Sequence, residues 1–289
     1  IQARRPRAPQ TFFRARGSWG ARGQLDLARA GRKDGAVTNA LLLSLLALWP
    51  AVEPSAAAYA QVWAEERSPQ AAAHLERLRE AFDSGSAAQR VAALRESWRH
   101  ADEAIVAQVR RGLGDRDVEV RLAAYDALGR NTHESAFAAL LTHHRERRKE
   151  LRTQDRDLPA LLAALARRGD ARAIAPLTAD VQAQRLVPTI RARILGLARI
   201  RTKDSVEALM KLAEEVGFVD MHNHLEDFRL ALVVLSGVDH GRSLDAWRGW
   251  WRGARATFAP PQRASELAPA DAARWREFWG EAPPSGDAR

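Results

Sequence analysis

Three residues of types that bind metals lie close together in the C-terminal half of the chain. Asp220, His222 and His224 have the spacing D-x-H-x-H, which would place all three side chains on one face of a β-strand. The apolar residues that follow recur instead at helical spacing: Leu225, Phe228, Leu232 and Leu235. We therefore expect a helix with Asp220 as its N-cap. Two residues apart on a helix, the two histidines would point about 200° away from each other.

This geometry favours first-turn polar residues over a metal site, so no metal ligand is predicted. The alternative is a metal-dependent envelope enzyme, or a subunit of one, that uses Asp220, His222 and His224. That alternative requires the turn that carries the two histidines to be unwound.

A basic run over residues 143–149 is the next candidate for chemistry. It contains His143, His144, Arg145, Arg147, Arg148 and Lys149. Two glutamates, Glu146 and Glu150, are interleaved with it, and it contains none of the aromatic residues that stack on bases. A nucleic-acid surface needs unbroken positive charge and such rings, so we predict a solvated helix face and no nucleic-acid partner.

The sequence offers no other catalytic signature. It contains no P-loop, no dinucleotide-binding glycine motif after a strand, no G-x-S-x-G and no H-E-x-x-H. The absence of Cys excludes disulfides, thiolate metal sites, a cysteine nucleophile and a lipid-modified cysteine. We therefore predict no catalytic residue, no cofactor and a protein that is not an enzyme.

The aromatic residues near the C-terminus form two helical faces. Trp247, Trp250 and Trp251 have the spacing i, i+3, i+4, and the same spacing recurs in Trp275, Phe278 and Trp279. We predict a cap over residues 243–280 in which the first aromatic helix covers an apolar edge and the second packs on the first. Residues 281–289 are predicted to be a disordered tail.

The alternative is that the tryptophans form an exposed platform for glycan rings or for the apolar side chains of a partner. On that interpretation Trp247, Trp250 and Trp251 are the tentative partner-binding residues. A small-ligand module that binds a glycan or a pigment is a related alternative.

Composition and periodicity predict an all-α protein. The chain has 289 residues, of which 46% are hydrophobic and 28% charged, so it can bury a large core. Alanine, leucine and arginine dominate, which favours helix. The most regular segment is residues 112–130, GLGDRDVEVRLAAYDALGR, in which a turn with two aspartates precedes an apolar stripe at helical spacing.

Elements of this segment recur along the chain. First-helix positions at Ile105, Phe137, Ile174 and Val206 are separated by 32, 37 and 32 residues. Second-helix arginines recur as Arg121, Arg191 and Arg229, with a weaker match at Arg90 and none in the third unit. Residues 112–130 resemble the second half of a HEAT repeat, and the period resembles that of compact bacterial HEAT-like repeats.

The resemblance implies a right-handed α-solenoid over residues 61–242, with an interaction role and with these arginines linking neighbouring repeats. We expect about five helical hairpins, at residues 69–99, 102–130, 134–168, 170–200 and 203–236. Residues 61–68, with Trp63 buried, should cap the N-terminal end. Residues 235–251 also resemble a closing segment of secreted bacterial HEAT-repeat proteins, to which no biochemical role is attached.

The N-terminal region predicts export. Residues 40–49, ALLLSLLALW, have the length and composition of a signal-peptide core, and Ala58-Tyr59-Ala60 forms a cleavage site before Gln61. We assign residues 37–60 to the signal peptide and residues 1–36 to an extended leader or to sequence ahead of the true start. The alternative is that residues 40–49 form a buried core helix, which would make the protein cytoplasmic.

A net charge of +9 could indicate a nucleic-acid or membrane partner. Residues 1–60 carry nine basic and only three acidic side chains, so most of the excess positive charge belongs to the leader and signal peptide. Together these observations predict a periplasmic or secreted scaffold or adaptor that binds proteins in the bacterial cell envelope. The sequence leaves open the partner, the oligomeric state and the surface that binds.

Overall fold

The structure, a computed structural model, describes residues 68–261 and 265–282. The predicted leader, the signal peptide, Trp63 and residues 283–289 of the predicted tail lie outside that part of the chain. Within it the secondary structure is helical with connecting turns and contains no strand, which confirms the prediction of an all-α protein. No helix in these residues is long and apolar enough to cross a membrane.

The helices over residues 69–166 alternate with short turns. They are α1 (Pro69–Asp83), α2 (Ala87–Glu96), α3 (Glu103–Arg111), α4 (Val118–Arg130), α5 (Glu134–Glu146), α6 (Arg148–Leu151) and α7 (Asp157–Ala166). Polar side chains fix their starts: Ser86 forms a capping box with Gln89, and Asp102 and Asp117 accept backbone N–H groups of the following helices.

The remaining helices are α8 (Ile174–Thr178), α9 (Val187–Arg199), α10 (Lys203–Val216), α11 (Phe218–Met221), α12 (Leu225–Ser236), α13 (Leu244–Ala254) and α14 (Pro269–Trp279). α8 has only five residues and lies between 3-10 turns at Ala171–Ala173 and Val181–Ala183. Asp180, directly before the second of these turns, has a φ of 54°, a left-handed conformation that is uncommon for a residue with a side chain.

The helices pack as two rows. α2, α4, α7, α9 and α12 form one row in which each helix contacts the next. Among the remaining helices, α1 contacts α3, α3 contacts α5, and α8 contacts α10. We call the first row the second-helix row, because each of its members follows a helix of the other row in sequence.

These helices share one hydrophobic core. Leu78, Val120, Leu161 and Ile190 are fully buried, and they belong to one cluster of buried apolar residues that extends from α1 to α14. The second-helix row is tightly packed at α4 and α7, where a Cβ added to Gly129 would lie 2.8 Å from the Cα and Cβ of Ala164. Glycine at this position allows the two helices to approach closely.

Candidate interaction surface

Ion pairs connect consecutive helices of the second-helix row. Arg121 of α4 donates to both carboxylate oxygens of Asp157, the first residue of α7, at 2.5 and 2.9 Å. Asp157 is buried, and the Tyr125 hydroxyl also donates to it at 3.4 Å. These two hydrogen bonds offset the free-energy cost of burying the Asp157 carboxylate, and they connect α4 to α7.

The same kind of contact recurs further along the chain. Arg191 of α9 lies 3.5 Å from Asp227 in the first turn of α12, and Arg229 of α12 lies 3.0 Å from Asp271 in the first turn of α14. Near the N-terminal end, Arg90 of α2 lies 2.8 Å from Asp115 in the turn before α4. Each arginine that was predicted to link repeats therefore contacts an aspartate of the following segment.

Arg121, Arg229 and Tyr125 are suited to a structural role, because their pKa values are shifted further from neutral pH. The hydrogen bond to Asp157 raises the pKa of Arg121, and the hydrogen bonds to Asp239 and Asp271 raise the pKa of Arg229. Burial raises the pKa of Tyr125, so its hydroxyl keeps its proton. Groups whose charge state is held so firmly are suited to fixing helices and poorly suited to transferring protons near neutral pH.

The structure does not bring the three candidate metal ligands together. Asp220 lies in the separate short helix α11 and pairs with Arg185 at 3.0 Å. His222 is exposed and His224 is buried, so their rings lie in different environments. Among the described residues, no three His, Asp or Glu side chains are grouped as a metal ligand set.

The predicted N-cap is also different. α12 begins at Leu225 and its N-cap is His224, not Asp220, because the preceding 3-10 turn His222–His224 separates Asp220 from this helix.

The basic run is divided between the surface and a polar contact. His143 lies 3.1 Å from the Tyr125 hydroxyl, whereas Arg145 to Glu150 are exposed. Arg147 pairs with Glu150, and Arg148 pairs with Asp180 in the turn after α8. The positive charge of this segment is thus partly neutralised by acidic neighbours.

The first aromatic group, on α13, is largely buried. Trp247 and Trp251 have exposed fractions of 1% and 8%, and the Trp247 indole donates to the Gly241 carbonyl at 2.7 Å. The rings of Trp250 and Trp251 pack against Phe258, with centroids 5.7 and 5.4 Å away. Of the three tentative partner-binding residues, only Trp250 is half-buried, so it alone offers appreciable ring surface to a partner.

The second aromatic group, on α14, differs from the predicted arrangement. We expected α14 to pack on the first aromatic helix, but its side chains contact Arg167, which directly follows α7, and residues of α9 and α12. Trp279 is fully buried, its backbone carbonyl accepts a hydrogen bond from Arg167 at 2.9 Å, and the Arg199 guanidinium lies 5.3 Å from its ring centroid. The arginines attract the helix by cation–π contacts that spacing on α14 alone could not predict.

Other contacts fix the rest of α14 on the same row. Arg191 lies 5.5 Å from the ring centroid of Phe278, and Arg274 donates to Asp227 at 2.9 Å. With the Arg229–Asp271 pair, these contacts place the face of α14 that carries Asp271, Arg274 and Phe278 against α9 and α12. α14 therefore covers part of the surface of the second-helix row.

Sequence reasoning missed the arginines at the ends of the second helices. Arg130, Arg167 and Arg199 are each the last residue of a second helix or the next one, and they are separated by 37 and 32 residues. This is the spacing already found for the first-helix positions, so the repeat period was the signal that could have identified them.

These arginines also line an open groove beside Trp279. The groove has a volume of about 450 Å³ and its lining includes Trp98, Arg130, Arg167, Arg168 and Arg199. Trp98 is 37% exposed, and the Arg130 guanidinium lies 6.0 Å from its ring centroid. The groove combines positive charge with an accessible aromatic ring.

Comparison with known proteins adds no assignment. No family model matches the chain, and a search of curated protein sequences found no significant match. The functional interpretation therefore rests on the contacts described above.

Proposed function

We propose that the chain is an α-solenoid of about five HEAT-like hairpins that serves as a protein-interaction scaffold or adaptor in the bacterial cell envelope. The observation that carries this proposal is the recurring ion pair from an arginine of one second helix to an aspartate of the next segment. A contact that repeats with the sequence period is what a stack of similar hairpins requires.

The interaction role follows from the surfaces that such a stack leaves open. Each hairpin contributes one helix to the second-helix row, so the row offers a long surface to a protein segment. The groove with Trp98 and the half-buried ring of Trp250 are the apolar parts of the described surface best placed to contact a partner, because aromatic and arginine side chains dominate binding energy at interfaces.

The test is capture followed by reconstitution. The immobilised chain is incubated with envelope extract of the source cell, and each retained protein is purified and titrated against wild type, Trp98→Ala, Trp250→Ala and the control Glu207→Ala by calorimetry. Glu207 is exposed on α10 and is not among the residues that line the groove with Trp98. We expect stoichiometric binding that weakens at least tenfold in one tryptophan variant and is unchanged in the control.

If no retained protein binds the purified chain, the scaffold function is wrong. Export is tested separately, by the mass of the protein recovered from the source cell. Cleavage of the proposed signal peptide gives a chain that begins at Gln61, whereas a cytoplasmic protein that keeps residues 40–49 contradicts the envelope location.

A further inference from the structure

We infer that the second-helix row binds an amphipathic helix of a partner protein, and that α14 is the chain's own copy of that ligand, which the partner displaces. The inference rests on the proposed function, because it names the surface, the class of partner and its regulation. Recognition of one helix face in a groove is a recurrent mode of peptide binding, in which anchors lie at i, i+3, i+4 and i+7.

The contacts of α14 define what the partner must carry. Its anchors are Asp271, Arg274, Trp275, Phe278 and Trp279, at positions i, i+3, i+4, i+7 and i+8. The row supplies an arginine for the acidic anchor and an aspartate for the basic anchor, and the guanidinium groups of Arg167 and Arg191 contact the last two rings. The fitting partner is therefore a helix with an acidic residue about two turns ahead of paired aromatic residues.

Charged groups beyond the C-terminal end of α14 indicate that a partner helix would lie in the same direction as α14. Glu281 follows α14 and pairs with Arg199 at 3.1 Å, and Gly280 lies beside the Arg130 guanidinium. The groove that contains Trp98 and Arg168 continues from this point. A partner helix that ends in further acidic residues would extend along the groove, where α14 is followed by only one described acidic side chain.

Two polar groups at the contact between α14 and the row lack hydrogen-bond partners, which favours replacement of α14 by a partner helix. The Trp279 indole Nε1 and the Arg167 Nε are buried and have no hydrogen-bond acceptor. A buried donor without an acceptor weakens an interface relative to one in which the donor is satisfied. A partner that places a side-chain oxygen near these two atoms would bind the same surface more tightly than α14 does.

The segment that joins α13 to α14 is also suited to the release of α14 from the row. The segment between α13 and α14 contains Pro260 and Pro261, which exclude a continuous helix between them. Its described contacts include a hydrogen bond from the Ser265 hydroxyl to the Val234 carbonyl and one from Arg201 to the Pro261 carbonyl. A helix tethered in this way competes at an effective concentration on the order of millimolar, so it shields the row without closing it permanently.

The experiment measures binding of a labelled peptide of residues 265–282 to the full-length chain by fluorescence anisotropy. In the wild type α14 competes with the peptide, so Trp279→Ala in the chain should tighten peptide binding at least tenfold. The matched control Glu277→Ala, at an exposed position of the same helix, should bind like the wild type. A peptide that carries Trp279→Ala should not bind any of the chains.

A second readout does not depend on the stability of the Trp279→Ala chain. Because the sequence contains no Cys, Glu277→Cys provides a single site for a spin label on the exposed face of α14. Excess peptide should raise the mobility of the label, because it releases α14 from the row.

Equal peptide affinity of the wild-type and Trp279→Ala chains, or a label whose mobility does not change at saturating peptide, would overturn the inference. Dimers that form with rising concentration of the wild type, measured by sedimentation, would make a second copy the occupant and overturn the assignment to a partner. An envelope protein that binds wild type and Trp279→Ala equally well keeps the scaffold function and overturns this inference alone. Peptide exchange without any envelope partner overturns the scaffold function and, with it, the assignment of a partner helix, and shows only that α14 can be displaced.

Discussion

The contact between α4 and α7 leads to a test of how closely the second helices must approach. In Gly129→Ala, the added methyl group would lie 2.8 Å from two carbon atoms of Ala164 and 3.0 Å from its carbonyl oxygen. Two of these three atoms belong to the backbone of α7, so a rotamer change cannot relieve the clash. Either the helices separate or the contact is strained.

The expected magnitude follows from two opposing effects. Overpacking a close contact costs about 1–3 kcal/mol, and the gain in helix propensity from glycine to alanine is at most about 1 kcal/mol. Gly129 is the penultimate residue of α4, where that gain is small. We therefore expect Gly129→Ala to lower the free energy of unfolding by about 1–2 kcal/mol.

The matched control is Gly249→Ala in α13. No atom lies within 4 Å of the Cβ position of Gly249, which is exposed in the middle of its helix. The same substitution should therefore raise the free energy of unfolding by about 0.5–1 kcal/mol. The two variants are predicted to shift stability in opposite directions.

Urea unfolding of the full chain, followed by circular dichroism at 222 nm, measures both effects. Thermal unfolding should show a melting temperature about 3–6 °C lower for Gly129→Ala than for the wild type. If Gly129→Ala is as stable as Gly249→Ala, the close approach of α4 and α7 does not exist and the packing argument is refuted.

Three other predictions follow from individual side chains. Arg121→Ala leaves the buried carboxylate of Asp157 without its cation and should cost about 3–5 kcal/mol in urea unfolding, whereas the double replacement of both residues by leucine should cost clearly less; equal losses would contradict this. Burial, with the charges of nearby groups, lowers the pKa of His74 from 6.5 to about 4, so the unfolded chain binds more protons between these values and stability should fall as pH decreases through this window, by on the order of 3 kcal/mol. His74→Gln should reduce that pH dependence, and an unchanged slope would show that His74 is not responsible. Finally, calorimetric titration with zinc should show no stoichiometric site in the wild type and no difference between the wild type and His222→Ala, because the rings of His222 and His224 lie in different environments.

Local sequence information was sufficient for the all-α class and for several contacts between helices. The apolar stripe of residues 118–128 predicted α4, and the recurrence of Arg121, Arg191 and Arg229 predicted links between consecutive segments. These features depend on the 3.6-residue period and on one side chain per repeat, both of which can be read from a single chain.

Two details near the candidate site could not be predicted in this way. The apolar spacing after Asp220 indicated one helix, but a 3-10 turn interrupts it, and His224 became the N-cap. Helix boundaries depend on the balance of hydrogen bonds in a single turn, which local spacing does not determine. Which tryptophans are buried was equally undetermined, because a helical aromatic face has the same spacing whether it meets a core or solvent.

The sequence by itself determined that the described chain is helical, that apolar first-helix positions recur at spacings of 32 to 37 residues, and that an arginine recurs in several of the second helices. These properties arise from interactions between residues a few positions apart. Only the tertiary structure decided where α14 binds, because the arginine that holds Trp279 is 112 residues away in the chain. A contact at that separation is selected by the shape and charge of the assembled second-helix row, which no local pattern specifies.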